Sequence, residues 1–190
     1  MRNCATGING TLILFLCSTM ALAQGPSGPP KPGAEVKELG VFVGKWTAVG
    51  DVKPGGGKMT SHAARYTSSC EWISDGFGVL CRETATLPGM GKITDVGLLS
   101  YDANAKDYVL FQVNNMGKTW IFRGTTDGDT WTWTSQDTVD GKTMQLRFTV
   151  KWTSKDSYDF ENEAGPTVDS MAVMMDGKGT RVTATKPAPK

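Results

Sequence analysis

The sequence predicts an all-β fold, in which antiparallel strands form an up-and-down meander that closes into a barrel. Beyond Trp46, apolar and polar residues alternate with a period of two, which is typical of strands with one buried face. Asp-Gly pairs, which favour tight hairpin turns, recur at Asp75-Gly76, Asp127-Gly128, Asp140-Gly141 and Asp176-Gly177. So many turns predict about eight to ten strands. Closure into a barrel buries the apolar face and removes exposed sheet edges.

A short helical segment is expected before the first strand. Ala34 to Val43 carries an apolar side that fits one or two helical turns, and Gly44-Lys45-Trp46 then leads into the sheet. We therefore predict a barrel domain over residues 34–184. The preceding residues 24–33 are rich in Pro and Gly and predict a linker, and residues 185–190 predict a disordered tail.

The first 23 residues have the pattern of a signal peptide. Arg2 precedes an apolar run from Thr11 to Ala23, which ends in a small-x-small cleavage site at Ala21-Leu22-Ala23. The run is shorter than the about 20 residues that a membrane-spanning helix needs. Lipidation at Cys17 is disfavoured because Leu16 stands where a small residue is required. We predict cleavage before Gln24 and a periplasmic or secreted protein.

The formal net charge of +1 excludes an electrostatic footprint for nucleic acid and argues against attraction to an acidic membrane surface. No second apolar stretch is long enough to span a membrane.

The hairpins also predict a strand register. A two-residue loop at Asp127-Gly128 places Phe122 opposite Trp133, and one at Asp140-Gly141 places Trp133 opposite Phe148. By the same reasoning Val109 or Phe111 faces Phe122. The neighbouring row is then Gly124, Trp131 and Val150.

These rows give the sheet an aromatic face and a polar face. Trp120, Phe122, Trp133 and Phe148 lie on the aromatic face, and we predict that they line a site for a small apolar or amphipathic ligand. The alternative is that they fill a dry core. The polar face, which includes Gln112 and Arg147, is expected to point to solvent.

Cys70 and Cys81 lie at equal distances from the Asp75-Gly76 turn, so a hairpin sets them opposite each other. This spacing and an oxidising compartment favour a disulfide over two buried free thiols.

The sequence assigns no catalytic residue, metal site or cofactor. His62 is the single histidine, no nucleophile motif accompanies it, and four zinc ligands are not available after cleavage. A surface position suits His62 best, and a haem ligand is the alternative.

Three segments carry a family resemblance. They are Lys37 to Trp46 (KELGVFVGKW), the hairpin from Cys70 to Cys81, and Met174 to Arg181 (MMDGKGTR). Together they resemble an uncharacterised family of exported bacterial proteins, the domain of unknown function 1579. The resemblance implies a lipocalin-like (calycin) barrel with Trp46 closing one end and Arg181 packing on it. It implies no catalytic residues. Related haem-binding barrels use a histidine near the end of the chain, and no histidine follows Val168 here.

The leading hypothesis is thus an exported barrel that binds a small molecule. The alternatives are a structural or interaction domain of the cell envelope, and an isomerase or haem enzyme of the barrel type that depends on His62.

Overall fold

The computed structural model describes residues 29–53, 63–87 and 89–183. It confirms the predicted fold class: ten antiparallel strands form one closed barrel, in which each strand pairs with the next along the chain and β1 pairs with β10. A helix, α1 (Ala34–Glu38), and a 3₁₀ turn (Leu39–Phe42) precede the sheet. The strands are β1 (Gly44–Val52), β2 (Ala63–Ile73), β3 (Gly78–Leu87), β4 (Gly91–Asp102), β5 (Asp107–Asn114), β6 (Thr119–Asp127), β7 (Thr130–Val139), β8 (Lys142–Ser154), β9 (Ser157–Gly165) and β10 (Ala172–Arg181).

Two predicted hairpin registers are confirmed. Asp140 and Gly141 form the β7–β8 loop with φ values of 50° and 74°, as a type I′ turn requires, and Trp133 faces Phe148. Trp131 faces Val150 in the same pair of strands. Cys70 faces Cys81 across β2 and β3, and the structure contains the Cys70–Cys81 disulfide.

The predicted register of the β6–β7 hairpin was wrong by two residues. The loop consists of Gly128 and Asp129, so Gly124 and not Phe122 faces Trp133. A Cβ atom at Gly124 would lie 2.4 Å from the Trp133 ring. The missing side chain thus leaves the space that the indole fills.

The partner of Phe122 on β5 was also predicted wrongly. Four residues, 115–118, separate β5 from β6, with Gly117 at φ 76°, and the pairing of the two strands places Leu110 opposite Phe122. A shift of one residue turns every side chain of a strand to the other face. As a result Phe111 is exposed and Gln112 points into the barrel, the reverse of the expectation from sequence.

Asp176-Gly177 is not a turn, although the sequence predicted one. Both residues lie within β10, where Gly177 pairs with Gly50 of β1. A Cβ atom at Gly177 would lie 2.3 Å from the Val49 carbonyl oxygen. The glycine therefore allows β10 to lie close to β1, the strand pair that closes the barrel.

One end of the barrel is closed by α1 and the 3₁₀ turn. Leu39 is fully buried there, and the Phe42 ring lies 5.0 Å from that of Trp131 and 5.6 Å from that of Trp152. The Tyr108 hydroxyl donates a 2.5 Å hydrogen bond to the Glu38 carboxylate. The main apolar core occupies this end: Leu39, Cys70, Val79, Leu99, Tyr108, Phe122, Trp131, Trp133 and Val150.

The outer surface is less polar than the sequence suggested. Large apolar side chains are exposed on three consecutive strands: Val96 and Leu98 on β4, Phe111 and Val113 on β5, and Ile121 on β6. They are neighbours in the pairing, because Val96 faces Val113, and Phe111 faces both Leu98 and Ile121.

Several predictions fall outside the described residues. These are the signal peptide, most of the linker, the C-terminal tail and the position of His62. Among the residues that the structure does describe, no helix is long and apolar enough to cross a membrane.

Candidate ligand-binding cavity

A cavity of about 490 Å³ lies inside the barrel. It extends from Phe42 and Trp46, at the end closed by the helical segment, to Leu87, Asn114 and Met174 near the other ends of the strands. The four residues predicted from sequence all border it: Trp120, Phe122, Trp133 and Phe148. The structure brings them together from three consecutive strands, since alternate residues of each strand face inward.

The four aromatic residues differ in their burial. Trp133 and Phe122 are 1% and 9% exposed and belong to the packed core. Trp120 and Phe148 are half-buried and lie against the core at its edge. The four residues therefore include members of the packed core as well as half-buried residues of the cavity wall. Further apolar residues complete the wall, including Leu110, Leu146, Phe160 and Met175.

Two carboxylates that the sequence pattern did not predict as site residues face this apolar wall. Glu83 of β3 and Asp95 of β4 stand directly opposite each other in the sheet, and both line the cavity. Neither forms an ion pair with a lysine or arginine of the described chain. Cys81, Glu83 and Ala85 are every second residue of β3 and lie on the same face of the strand, toward the cavity. An inward position of Cys81 would therefore have predicted an inward position of Glu83.

The surroundings of the two carboxylates favour their protonated forms. Burial, and to a smaller extent the negative charge of Asp95, raise the pKa of Glu83 to about 7. Burial also raises the pKa of Asp95, while a hydrogen bond from the Gln112 side chain acts in the opposite direction. The inward position of Gln112, which the sequence did not predict, thus gives Asp95 a neutral partner.

The positive charge that borders the cavity is already paired. Arg147 donates two hydrogen bonds, from Nε and one terminal nitrogen, to the two carboxylate oxygens of Glu163. This fork geometry is the strong form of the pair, and it lowers the pKa of Glu163. The sequence predicted that Arg147 lies on the solvent-exposed face of the sheet, but its side chain is half-buried and borders the cavity.

Tyrosine hydroxyls add polar groups to the wall. The Tyr66 hydroxyl donates a 2.9 Å hydrogen bond to the Met175 sulfur, and burial raises the pKa of both Tyr66 and Tyr158. Both phenols therefore stay neutral and keep their protons near neutral pH.

At the closed end, Arg181 lies over Trp46. The guanidinium carbon is 4.0 Å from the centre of the indole ring, and Nη1 donates a 2.6 Å hydrogen bond to the Val43 carbonyl. Arg181 Nε also bonds to the Asp156 carboxylate, and Trp46 Nε1 donates to the Phe42 carbonyl. These contacts tie β1, β10 and the helical segment together.

No group of three or more metal-ligating side chains occurs within the described ranges.

Comparisons with known proteins address the family and the fold. The model of a family described as "Protein of unknown function (DUF1579)" matches residues 31–186. No curated protein matches the sequence. The crystal structure of Rv2717c from M. tuberculosis is similar to this chain with a TM-score of 0.57 at 11% identity, over 80% of this chain and 99% of that one. A redesigned β-barrel matches with a TM-score of 0.42 at 10% identity, over 76% and 95% of the two chains.

Proposed function

We propose that this chain, which belongs to the DUF1579 family of proteins of unknown function, is an exported β-barrel that binds a small apolar or amphipathic molecule. The observation that carries this proposal is the interior cavity of about 490 Å³. Ligand sites in proteins are typically concave, about 300–1,000 Å³ in volume, and apolar with a few convergent polar groups. The aromatic wall and the Glu83–Asp95 pair supply that combination.

A dry, fully packed core is the competing interpretation of the same aromatic residues. The core at the closed end contains the most buried of them, Trp133. Trp120 and Phe148 instead retain accessible surface while they border the cavity. An interior that served packing alone would be expected to have few voids larger than a water molecule. The cavity volume therefore favours binding.

A neutral fluorescent probe tests this proposal. N-phenyl-1-naphthylamine, which fluoresces strongly in apolar surroundings, should bind the folded protein saturably. Phe148→Ala removes a ring from the cavity wall and should weaken that binding by at least about tenfold. Trp72→Ala, which changes a large aromatic residue that is 39% exposed, should leave the affinity unchanged. Absence of saturable binding, or equal affinity in Phe148→Ala, would contradict the proposal.

Export is supported by the Cys70–Cys81 disulfide, because such bonds persist in oxidising compartments. The mass of the protein purified from its own cells tests this part. We expect a chain that begins at Gln24 and lacks two protons relative to the dithiol. A chain that keeps residues 1–23, or carries two free thiols, would contradict export.

A native mass spectrum of the same sample addresses the ligand. A discrete excess over the denatured mass is expected from a retained small molecule, and its size would restrict the chemical class.

A further inference from the structure

We propose that the cavity selects amphiphiles with a protonated amine, which the carboxylates of Glu83 and Asp95 bind while the apolar part lies against the aromatic wall. This inference rests on the proposed function, since it requires a ligand in the same cavity. It names the class of ligand that the cavity prefers.

The charged side chains inside the barrel leave an excess of negative charge. Four ionisable side chains with formal charges at neutral pH line the cavity: Glu83, Asp95, Arg147 and Glu163. Arg147 and Glu163 neutralise each other through their paired hydrogen bonds. The two remaining groups are both acidic, and no lysine contributes to the lining among the described residues. The interior therefore lacks one or two positive charges that a ligand can supply.

The two carboxylates lie close enough together to bind one cation. Residues directly opposite in an antiparallel pair have Cβ atoms about 4.5–5.5 Å apart, so the Glu83 and Asp95 side chains reach a common point. An ammonium group has three N–H donors and no acceptor, which suits two carboxylates that face each other. Glu83 is half-buried, lines the cavity and makes no ion pair with the described residues. Within that part of the chain, its carboxylate therefore has no cationic partner, and a ligand in the cavity can reach it.

Neutral polar side chains surround the two carboxylates. Ser68 of β2 lies opposite Glu83, Gln112 of β5 lines the cavity near Asp95, and the phenols of Tyr66 and Tyr158 lie close enough for the Glu83 charge to raise their pKa values. These neighbours are neutral, so none competes with a ligand cation. The apolar wall on β6 to β9 accepts a hydrocarbon chain.

This arrangement predicts a pH dependence of binding. Burial raises the pKa of Glu83 to about 7 in the empty protein, and a bound cation favours the ionised form. Binding should therefore release protons below about pH 8. The affinity for an alkylamine should rise by several-fold between pH 6 and pH 8, a range in which the amine itself, with a pKa near 10, stays charged.

The experiment compares three ligands of equal chain length by displacement of N-phenyl-1-naphthylamine: dodecylamine, dodecanol and dodecanoate. The wild-type protein should bind dodecylammonium at least about tenfold more tightly than dodecanol, and dodecanoate most weakly. In E83Q/D95N the preference for the amine should vanish while dodecanol binds as before. Glu71→Gln, which changes an exposed carboxylate on the outer surface, should keep the full preference.

The outcomes separate this inference from the proposed function. Saturable probe binding with equal affinities for amine and alcohol, or a preference for dodecanoate, would overturn the inference and leave the binding function standing. A probe that does not bind at all would overturn both. Should E83Q/D95N fail to fold, wild-type calorimetry in two buffers of different ionisation enthalpy decides, since proton release on binding of dodecylamine but not of dodecanol is required.

Discussion

The side chain of Arg181 makes several contacts at the closed end of the barrel. Its guanidinium packs on the Trp46 ring, bonds to the carbonyls of Val43 and Lys155, and pairs with Asp156. The contacts use the flat face of the group and several of its N–H donors. An ammonium has neither the flat face nor the fork geometry.

We therefore predict that Arg181→Lys lowers the free energy of unfolding by about 1–3 kcal/mol although the charge is kept. Urea unfolding of the purified protein measures this. Arg82→Lys is the matched control, because Arg82 is well exposed and, among the described residues, its side chain bonds only to the exposed Glu71. It should change stability by less than about 0.5 kcal/mol. Equal effects of the two substitutions would contradict a structural role for the Arg181–Trp46 contact.

Glu83 gives the stability of the ligand-free protein a definite dependence on pH. Its pKa rises from 4.5 to about 7 on folding, so the folded state holds the proton more strongly than the unfolded state. The contribution of Glu83 to the free energy of unfolding is fully present below about pH 4.5, and it is lost as the pH rises through about 7. Glu83→Gln should remove this loss and stabilise the protein above pH 7 by about 1–3 kcal/mol.

The measurement is urea unfolding of both proteins between pH 5 and pH 8. Asp95 contributes in the same direction, so the difference between wild type and Glu83→Gln isolates Glu83. Glu71→Gln is the control and should leave the slope unchanged. If the free energies of unfolding of the wild-type protein and Glu83→Gln change by the same amount between pH 5 and pH 8, the raised pKa of Glu83 is contradicted.

At the scale of secondary-structure elements, the helical segment acts as the closure of one barrel end. Leu39 is fully buried in the core, whereas Val41, two residues later, is 38% exposed. Leu39→Ala should therefore lower the free energy of unfolding by about 2–5 kcal/mol through lost burial and the cavity left behind. Val41→Ala should lower it by less than about 0.5 kcal/mol. Thermal or urea unfolding compares them, and similar losses would show that the segment does not close the core.

The hairpins show which features could be predicted from sequence. Where both loop residues are Asp-Gly with positive φ, as at Asp140-Gly141, the register follows from the turn. At Asp127-Gly128-Asp129 two loops are compatible with the same residues, and the choice depends on Gly124 accommodating the Trp133 ring, a contact between strands. Asp176-Gly177 resembles a turn but serves close strand contact, which local sequence does not distinguish.

The candidate site divides in the same way. The aromatic wall could be predicted because large apolar residues repeat with a period of two. The Glu83–Asp95 pair was missed because charged residues on a strand usually mark the solvent face. Their inward position depends on the parity of the entire β3–β4 pair, which follows from Cys81 and from barrel closure.

At the scale of the whole molecule, the barrel depends on the pairing of its first strand with its last. Trp46 to Val52 pairs with Met175 to Arg181, and Gly50 faces Gly177 one pair away from the middle of this ladder. A sheet of ten strands buries one face completely only when this junction forms. The same junction removes the two edge strands, which would otherwise present unpaired backbone groups.

Gly177→Ala should weaken that junction specifically. The added Cβ would lie 2.3 Å from the Val49 carbonyl oxygen and 2.6 Å from Gly50 Cα, so backbone must move and not a flexible side chain. We expect a loss of about 1–3 kcal/mol in the free energy of unfolding. Amide hydrogen exchange should accelerate most in Val49, Asp51 and Lys178, which lie at hydrogen-bonded positions between β1 and β10, because local opening of this pair precedes global unfolding.

Gly97→Ala is the matched control for the junction. It is also a glycine in a central part of a strand, but an added Cβ would meet only the Leu110 side chain, at 3.1 Å, which can move. Gly97→Ala should lower the free energy of unfolding by less than about 1 kcal/mol. It should leave the amide hydrogen exchange rates of β1 and β10 as in the wild-type protein. Faster exchange spread evenly over all ten strands in Gly177→Ala would instead mean that closure is no weaker than the other strand pairings. A local increase would establish that barrel closure depends on Gly177, a residue that sequence reasoning assigned to a turn.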